Sequence, residues 1–208
     1  MHILRRWMPW AAALVGCALL AAAARATGDE LPGTANPPVP WRDWSASVNG
    51  GAEWYGGSLF SKIDPGPTWG FALQYEPTRE IGFEVGYSGS SNTVVGAPGL
   101  WVTRNGGYLA VTPGYSFPLD RLHRTELKPY VLGGVGWNYY SVSGNGSVYG
   151  FSTTASPTVP VGGGLRLRTG QLNLDARFDA AWGFGNAFAA GTSTVLRYQT
   201  VLLLGVAY

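Results

Sequence analysis

Seven charged side chains stand at strand-like spacing in a chain otherwise poor in charge: Glu53, Glu84, Arg166, Asp175, Arg177, Asp179 and Arg197. Carboxylates and guanidinium groups on one face of a sheet can pair as a buried plug, or they can line a narrow ion path. Catalysis asks for more, a nucleophile beside a positioned base. His2 stands in the apolar N-terminal run, and His123 stands in a charged connection with no serine placed beside it on a strand pattern. Asp175 and Asp179 flank Arg177 and read as its ion-pair partners. No metal-ligand cluster, no phosphate-cradling loop and no nucleophile elbow is present. Catalytic, cofactor and metal sites are therefore all expected to be absent, and the chain does not read as an enzyme.

The elements that must hold these charges are strands, because side chains in a strand alternate between two faces. The clearest is Trp44, Ala46, Val48, Gly50, Ala52, Trp54 against Ser45, Ser47, Asn49, Gly51, Glu53, Tyr55. Trp69, Phe71, Leu73, Tyr75 form a second apolar face, and Ile81, Phe83, Val85, Tyr87 a third, with Glu84 opposite. A fifth strand shows Val131, Gly133, Val135, Trp137, Tyr139, and a sixth Val159, Val161, Gly163, Leu165, Leu167 with Arg166 opposite. The seventh shows Leu172, Leu174, Ala176, Phe178, Ala180, Trp182, which leaves Asp175, Arg177 and Asp179 on the other side. The last runs Tyr198, Thr200, Leu202, Leu204, Val206, Tyr208. An aliphatic band with aromatics at its rims is what a lipid-facing strand needs. Trp44, Trp54, Trp69, Tyr75, Tyr87, Trp137, Trp182, Tyr198 and Tyr208 are the expected aromatic girdle.

The fourth strand is read as starting near Gly107, with Leu109, Val111, Pro113 and Tyr115 outward; Asn105-Gly106 before it suggests a hairpin turn or a bulge. Connections at 76–79 and 169–171 are tight, whereas those at 56–67, 88–106, 141–157 and 183–194 are longer and rich in Gly, Ser, Asn and Thr. Short turns at one end and long loops at the other give the polarity of an outer-membrane barrel. The connection from Phe117 to Pro129 departs from this, being long and charged.

Composition agrees. Charged residues make up 12% of the 208, aromatics 13%, and glycine numbers 31. A soluble surface would want more charge. Residues 1–26 combine Arg5 and Arg6, an apolar stretch and Ala24-Arg25-Ala26, the layout of an export signal. Cys17, the sole cysteine, follows Leu14-Val15-Gly16 as in a lipobox, so lipidation there stays open beside cleavage near Ala26. Residues 27–40 read as a flexible periplasmic leader and 41–208 as the barrel. The formal charge of +2 includes Arg5, Arg6 and Arg25; from Thr27 on, eleven basic residues face twelve acidic ones, a balance of −1. That leaves no footprint for nucleic acid.

The segment Lys128-Pro129-Tyr130-Val131-Leu132-Gly133-Gly134-Val135-Gly136-Trp137 and the aromatic-ended last strand resemble the small bacterial outer-membrane β-barrel family of OmpA/OmpX type. The resemblance implies an all-β, eight-stranded antiparallel up-and-down transmembrane β-barrel in the outer membrane of a Gram-negative cell. It also implies contact with lipid and lipopolysaccharide, and recognition of the last strand by the barrel-assembly machinery. Larger relatives add a peptidoglycan-binding domain after the barrel, a function not implied for a sequence ending at that strand.

Eight strands leave an interior just wide enough for side chains. Glu53, Arg197 and Asp179 are expected to form one lumen cluster near the outer end, and Glu84, Arg166, Asp175 and Arg177 another below it. The function expected is a structural or surface-interaction barrel with a charge-plugged lumen. A narrow gated ion channel is the alternative. A soluble periplasmic barrel for a hydrophobic ligand is a further one, and would need its apolar faces turned inward.

Overall fold

The computed structural model describes residues 44–97, 99–119, 125–144, 146–184, 188–189 and 194–208. The expected export signal, Cys17 and the leader lie outside the described residues.

Alternation of apolar and polar residues drives the chain into strands. They are β1 (Trp44–Tyr55), β2 (Gly66–Tyr75), β3 (Ile81–Thr93), β4 (Trp101–Pro113), a two-residue β5 (Phe117–Pro118), β6 (Thr125–Val142), β7 (Thr154–Thr169), β8 (Leu172–Phe184) and β9 (Thr194–Ala207). Apart from β4 and the short β5, neighbours in sequence pair antiparallel; β1 pairs with β9 and β4 with β6, so the eight long strands close on themselves. Closure leaves no unpaired edge. The order is up-and-down throughout.

The stagger can be followed through the pairing. From Trp44 the partners run Tyr75, Phe83, Val111, Gly133, Val161, Ala180, Tyr198 and back to β1 at Trp54, a shift of ten residues. Ten residues of shear over eight strands tilt each strand by roughly 40°, and at about 3.3 Å per residue place Trp54 roughly 25 Å above Trp44 along the axis. That is the height of the apolar band in a transmembrane barrel. Trp44, Tyr75 and Tyr208 mark the end that holds the short turns; Trp54, Trp69, Tyr87, Trp137, Trp182 and Tyr198 lie toward the end that holds the loops. Ring contacts tie part of each rim together: Trp44–Tyr75 at 4.7 Å, Trp54–Tyr198 at 6.1 Å, Phe71–Tyr87 at 5.6 Å.

Between the rims the wall is apolar outside and polar inside. Phe71, Val85, Leu109, Val135, Leu174 and Leu202 are exposed. Glu53, Glu84, Arg104, Arg166, Asp175 and Arg177 are buried. A soluble ligand-binding barrel needs the reverse arrangement, so that alternative fails on the faces themselves.

Two elements differ from the sequence expectation. β4 begins at Trp101, not near Gly107, and β3 continues to Thr93, so most of 88–106 is strand. Asn105 and Gly106 are neither hairpin nor bulge; they pair in register with Gly89 and Ser88. The outward polar residue is accommodated by a neighbour: the Tyr87 hydroxyl donates to Asn105 Oδ1 at 2.6 Å. Alternation of hydrophobicity fails here while alternation of direction does not. In the long connection, β5 pairs with Glu126 and Leu127 of β6; residues 120–124 lie outside the described residues.

The loop end carries a core that its Gly- and Ser-rich composition did not announce. Tyr55, Leu59, Ile63, Val94, Ala97, Leu100, Val102, Tyr140, Phe151, Phe188, Ala189 and Val195 pack as one buried cluster. Isolated bridges Ile63–Val94 and Phe151–Ala189 tie loop to loop. Phe188 stacks on Tyr140 at 4.4 Å and on Tyr55 at 6.3 Å.

Candidate functional site: the charged lumen

Below the apolar cluster the lumen is filled by ion pairs and hydrogen bonds at two levels. At the upper level Glu53 is held between two arginines. Arg104 reaches it with Nη2 at 2.7 Å and Nε at 3.0 Å, and Arg197 with Nη1 at 2.9 Å. Ser90 adds a hydroxyl at 2.6 Å. Arg104 also donates to the Ser88 carbonyl and hydroxyl and to Asn138 Oδ1, at 2.8–3.0 Å. Every face of this guanidinium is used, which is what a cation fully removed from water requires.

At the lower level Arg177 grips Glu84 with both terminal nitrogens, at 2.6 and 2.7 Å. Tyr108 and Gln74 donate to the same carboxylate, each at 2.6 Å. Arg177 Nε donates to the Tyr130 hydroxyl at 2.7 Å, which in turn donates to Asp175 at 2.8 Å. Arg166 reaches Asp175 at 3.0 Å and Glu76 at 2.6 Å. Glu76 is also met by Lys128 at 3.1 Å and by Arg168 at 3.1 Å. The guanidinium carbons of Arg166 and Arg177 lie 4.9 and 5.6 Å from the Tyr130 ring centre, within cation–π range.

Glu76 sits in the turn after β2, at the mouth of the barrel. Burial pushes its carboxyl up, but the charges of Arg166, Arg168 and Lys128 outweigh that and hold it below the usual carboxylate value.

The expected grouping is partly rearranged. Glu53 and Arg197 meet as expected, but Asp179 makes no ion pair with them; it joins through Gln199, whose Nε2 donates to Asp179 at 2.9 Å while its Oε1 accepts from Arg197 at 3.3 Å. Glu84, Arg166, Asp175 and Arg177 come together, yet Arg177 leans on Glu84 across the lumen and not on its strand neighbours, with Asp175 at 3.8 Å. Sequence reasoning missed four charges: Arg104, Glu76, Lys128 and Arg168. Arg104 was hidden by the late start given to β4; continuing the period of two back from Leu109 would have turned it inward. Lys128 follows in the same way from the phase of Tyr130 and Leu132. Glu76 had no strand period to reveal it.

No protein-family model and no curated protein sequence matches the chain. Among solved structures it is similar to the Neisserial surface protein NspA, at 18% identity over 79% of this chain and 97% of that one, with a TM-score of 0.59. The fold is that of a small outer-membrane β-barrel. Weaker likeness extends to Ail of Yersinia pestis, 12% identical over 80% of this chain and 99% of that one, TM-score 0.47. The outer membrane enzyme PagL is 13% identical over 76% and 97%, TM-score 0.42. At 18% identity the likeness to NspA shows the fold alone and does not decide whether this chain catalyses anything. Among the described residues no cluster of His, Cys, Asp or Glu is arranged to hold a metal ion.

Proposed function

We propose that the protein is a closed outer-membrane barrel with a structural or surface-interaction role, whose lumen is a plug and not a conduit. The observation carrying this reading is the filling of the interior at two charged levels under an apolar cap. Charged side chains on both levels are almost wholly buried, and an apolar cluster stands over them at the loop end. An ion crossing would have to displace Arg177 from Glu84 and Glu53 from Arg104, then enter an oil-like cap. Each displacement strands a buried charge, at about 3–5 kcal/mol where the site is dry. The apolar band and its aromatic rims support residence in the outer membrane, in contact with lipid and lipopolysaccharide. β9, ending on Tyr208, is the segment proposed to meet the barrel-assembly machinery.

Planar-bilayer recording of the purified barrel tests the plug. The expected result is no steady single-channel current at neutral pH. A reproducible small conductance that Arg177→Ala enlarges would replace the plug by the gated ion path.

A further inference from the structure

Between the two charged levels lies a cavity of about 20 Å³, bordered by Arg104, Arg177, Arg197, Asp179, Asn138 and Gln199. Two of the residues around it hold a buried polar atom with no partner among the described residues: Asp179 Oδ1 and Asn138 Nδ2. Both side chains are at least nine-tenths buried, at 5% and 3% exposure. Their orientation is fixed by the half that is satisfied. Asn138 Oδ1 accepts from Arg104, so the amide nitrogen is the free end. Asp179 Oδ2 accepts from Gln199, so Oδ1 is the free oxygen.

Glycines give both side chains their room. A Cβ on Gly162 would collide with Asp179 Oδ1, and one on Gly106 with Asn138 Oδ1. The wall is also interrupted at this level. The β6–β7 pairing runs up to Gly133–Val161 and resumes in the same register at Gly136–Thr158; Pro160, which lines the cavity, has no N–H to give across the gap.

A buried acceptor and a buried donor left bare would each cost about 1–3 kcal/mol. What satisfies both must accept at one end and donate at the other. The surroundings fix its charge. A cation would meet three arginines and an anion would meet Asp179, so a neutral dipole fits. The volume fixes its size, since one water needs about 10–15 Å³ of such space.

We propose that this cavity is a built hydration site. Its water, singly or as a pair, donates to Asp179 Oδ1 and accepts from Asn138 Nδ2, two side chains that Gln199 and Arg104 tie to the upper cluster.

The test uses the full barrel in detergent micelles, with magnetisation transfer from water to the side-chain amide protons of Asn138 and Gln199. Cross-peaks with the sign of a slowly exchanging, protein-bound water are expected. Their absence at both amides overturns the proposal. Leu132, which also lines the cavity, gives a second arm. Leu132→Phe fills the space with carbon; it should abolish the cross-peaks and lower the urea midpoint, because water leaves and two polar atoms stay bare. A raised midpoint would mean the cavity was dry, which also overturns the proposal. Should that variant not fold, the wild-type spectrum decides alone. A conducting wild-type barrel would sink the plug and leave this site standing, so the two ideas fail separately.

Discussion

Glu84 shows how a carboxylate survives inside a barrel. It accepts from Arg177, Tyr108 and Gln74, so none of its lone pairs is left to water it cannot reach. Such a pair is not a net source of stability, because desolvation offsets the attraction; its removal by halves is what costs. Arg177→Ala should therefore lower the stability of the folded barrel by about 3–5 kcal/mol, and adding Glu84→Gln should restore part of it. Urea titration read by unboiled gel mobility measures both. A variant with unchanged midpoint would mean that Glu84 finds another cation. Glu76 makes a pH-dependent contribution of known sign. Its carboxyl is held below the ordinary value of 4.5, chiefly against burial, by Arg166, Arg168 and Lys128. A depressed folded-state value means stability is present above the unfolded-state value and is lost as pH falls through the folded one. Acidification below about pH 4.5 should thus destabilise the wild type, and Glu76→Gln should flatten that part of the curve.

At the scale of the element, the strand faces make a sharper claim than the strands themselves. Leu202 is exposed and lies about midway between the aromatic rims, opposite Gly50 on β1 and Ala176 on β8. Leu202→Arg should cost about 2–4 kcal/mol in vesicles, as for a cation at the bilayer midplane. Leu174→Arg should cost less, because Leu174 stands only two residues from the turn-end limit of β8. Equal penalties would show that the two rims are misplaced along the axis. The same logic explains Asn105. It faces outward at the height of the loop-end rim, where the leaflet is polar enough to take an amide already satisfied by Tyr87.

For the whole molecule the loop-end cluster is the feature that most changes the picture. Loops of glycine, serine and asparagine would be slack by themselves. Here Leu59, Ile63, Val94, Leu100, Phe151 and Phe188 fold them onto the top of the lumen. Val148, by contrast, is 77% exposed on the outer surface of the β6–β7 loop. A short tag inserted beside Val148 should be labelled on intact cells without loss of folding. Labelling only after the outer membrane is opened would mean that the loop end faces the periplasm.

By itself the sequence determined the architecture of the wall. A period of two with aromatic limits is a local property of each segment, and Trp44 to Trp54 already states the height of the band. It also determined that the inner face is charged, because lipid excludes Glu53, Arg166 and Arg177 from the other side. Only the tertiary structure decided which charges meet. Closure with a shear of ten residues brings Arg104 of β4 to Glu53 of β1, and Arg177 of β8 to Glu84 of β3, partners far apart in sequence and on strands that do not pair. It decided that Asp179 speaks to its cluster only through Gln199. It also decided that scattered apolar residues in four loops become a single core. Pairing across a lumen depends on shear and loop packing, which are set by the closed ring as a whole and leave no periodic trace in any one strand.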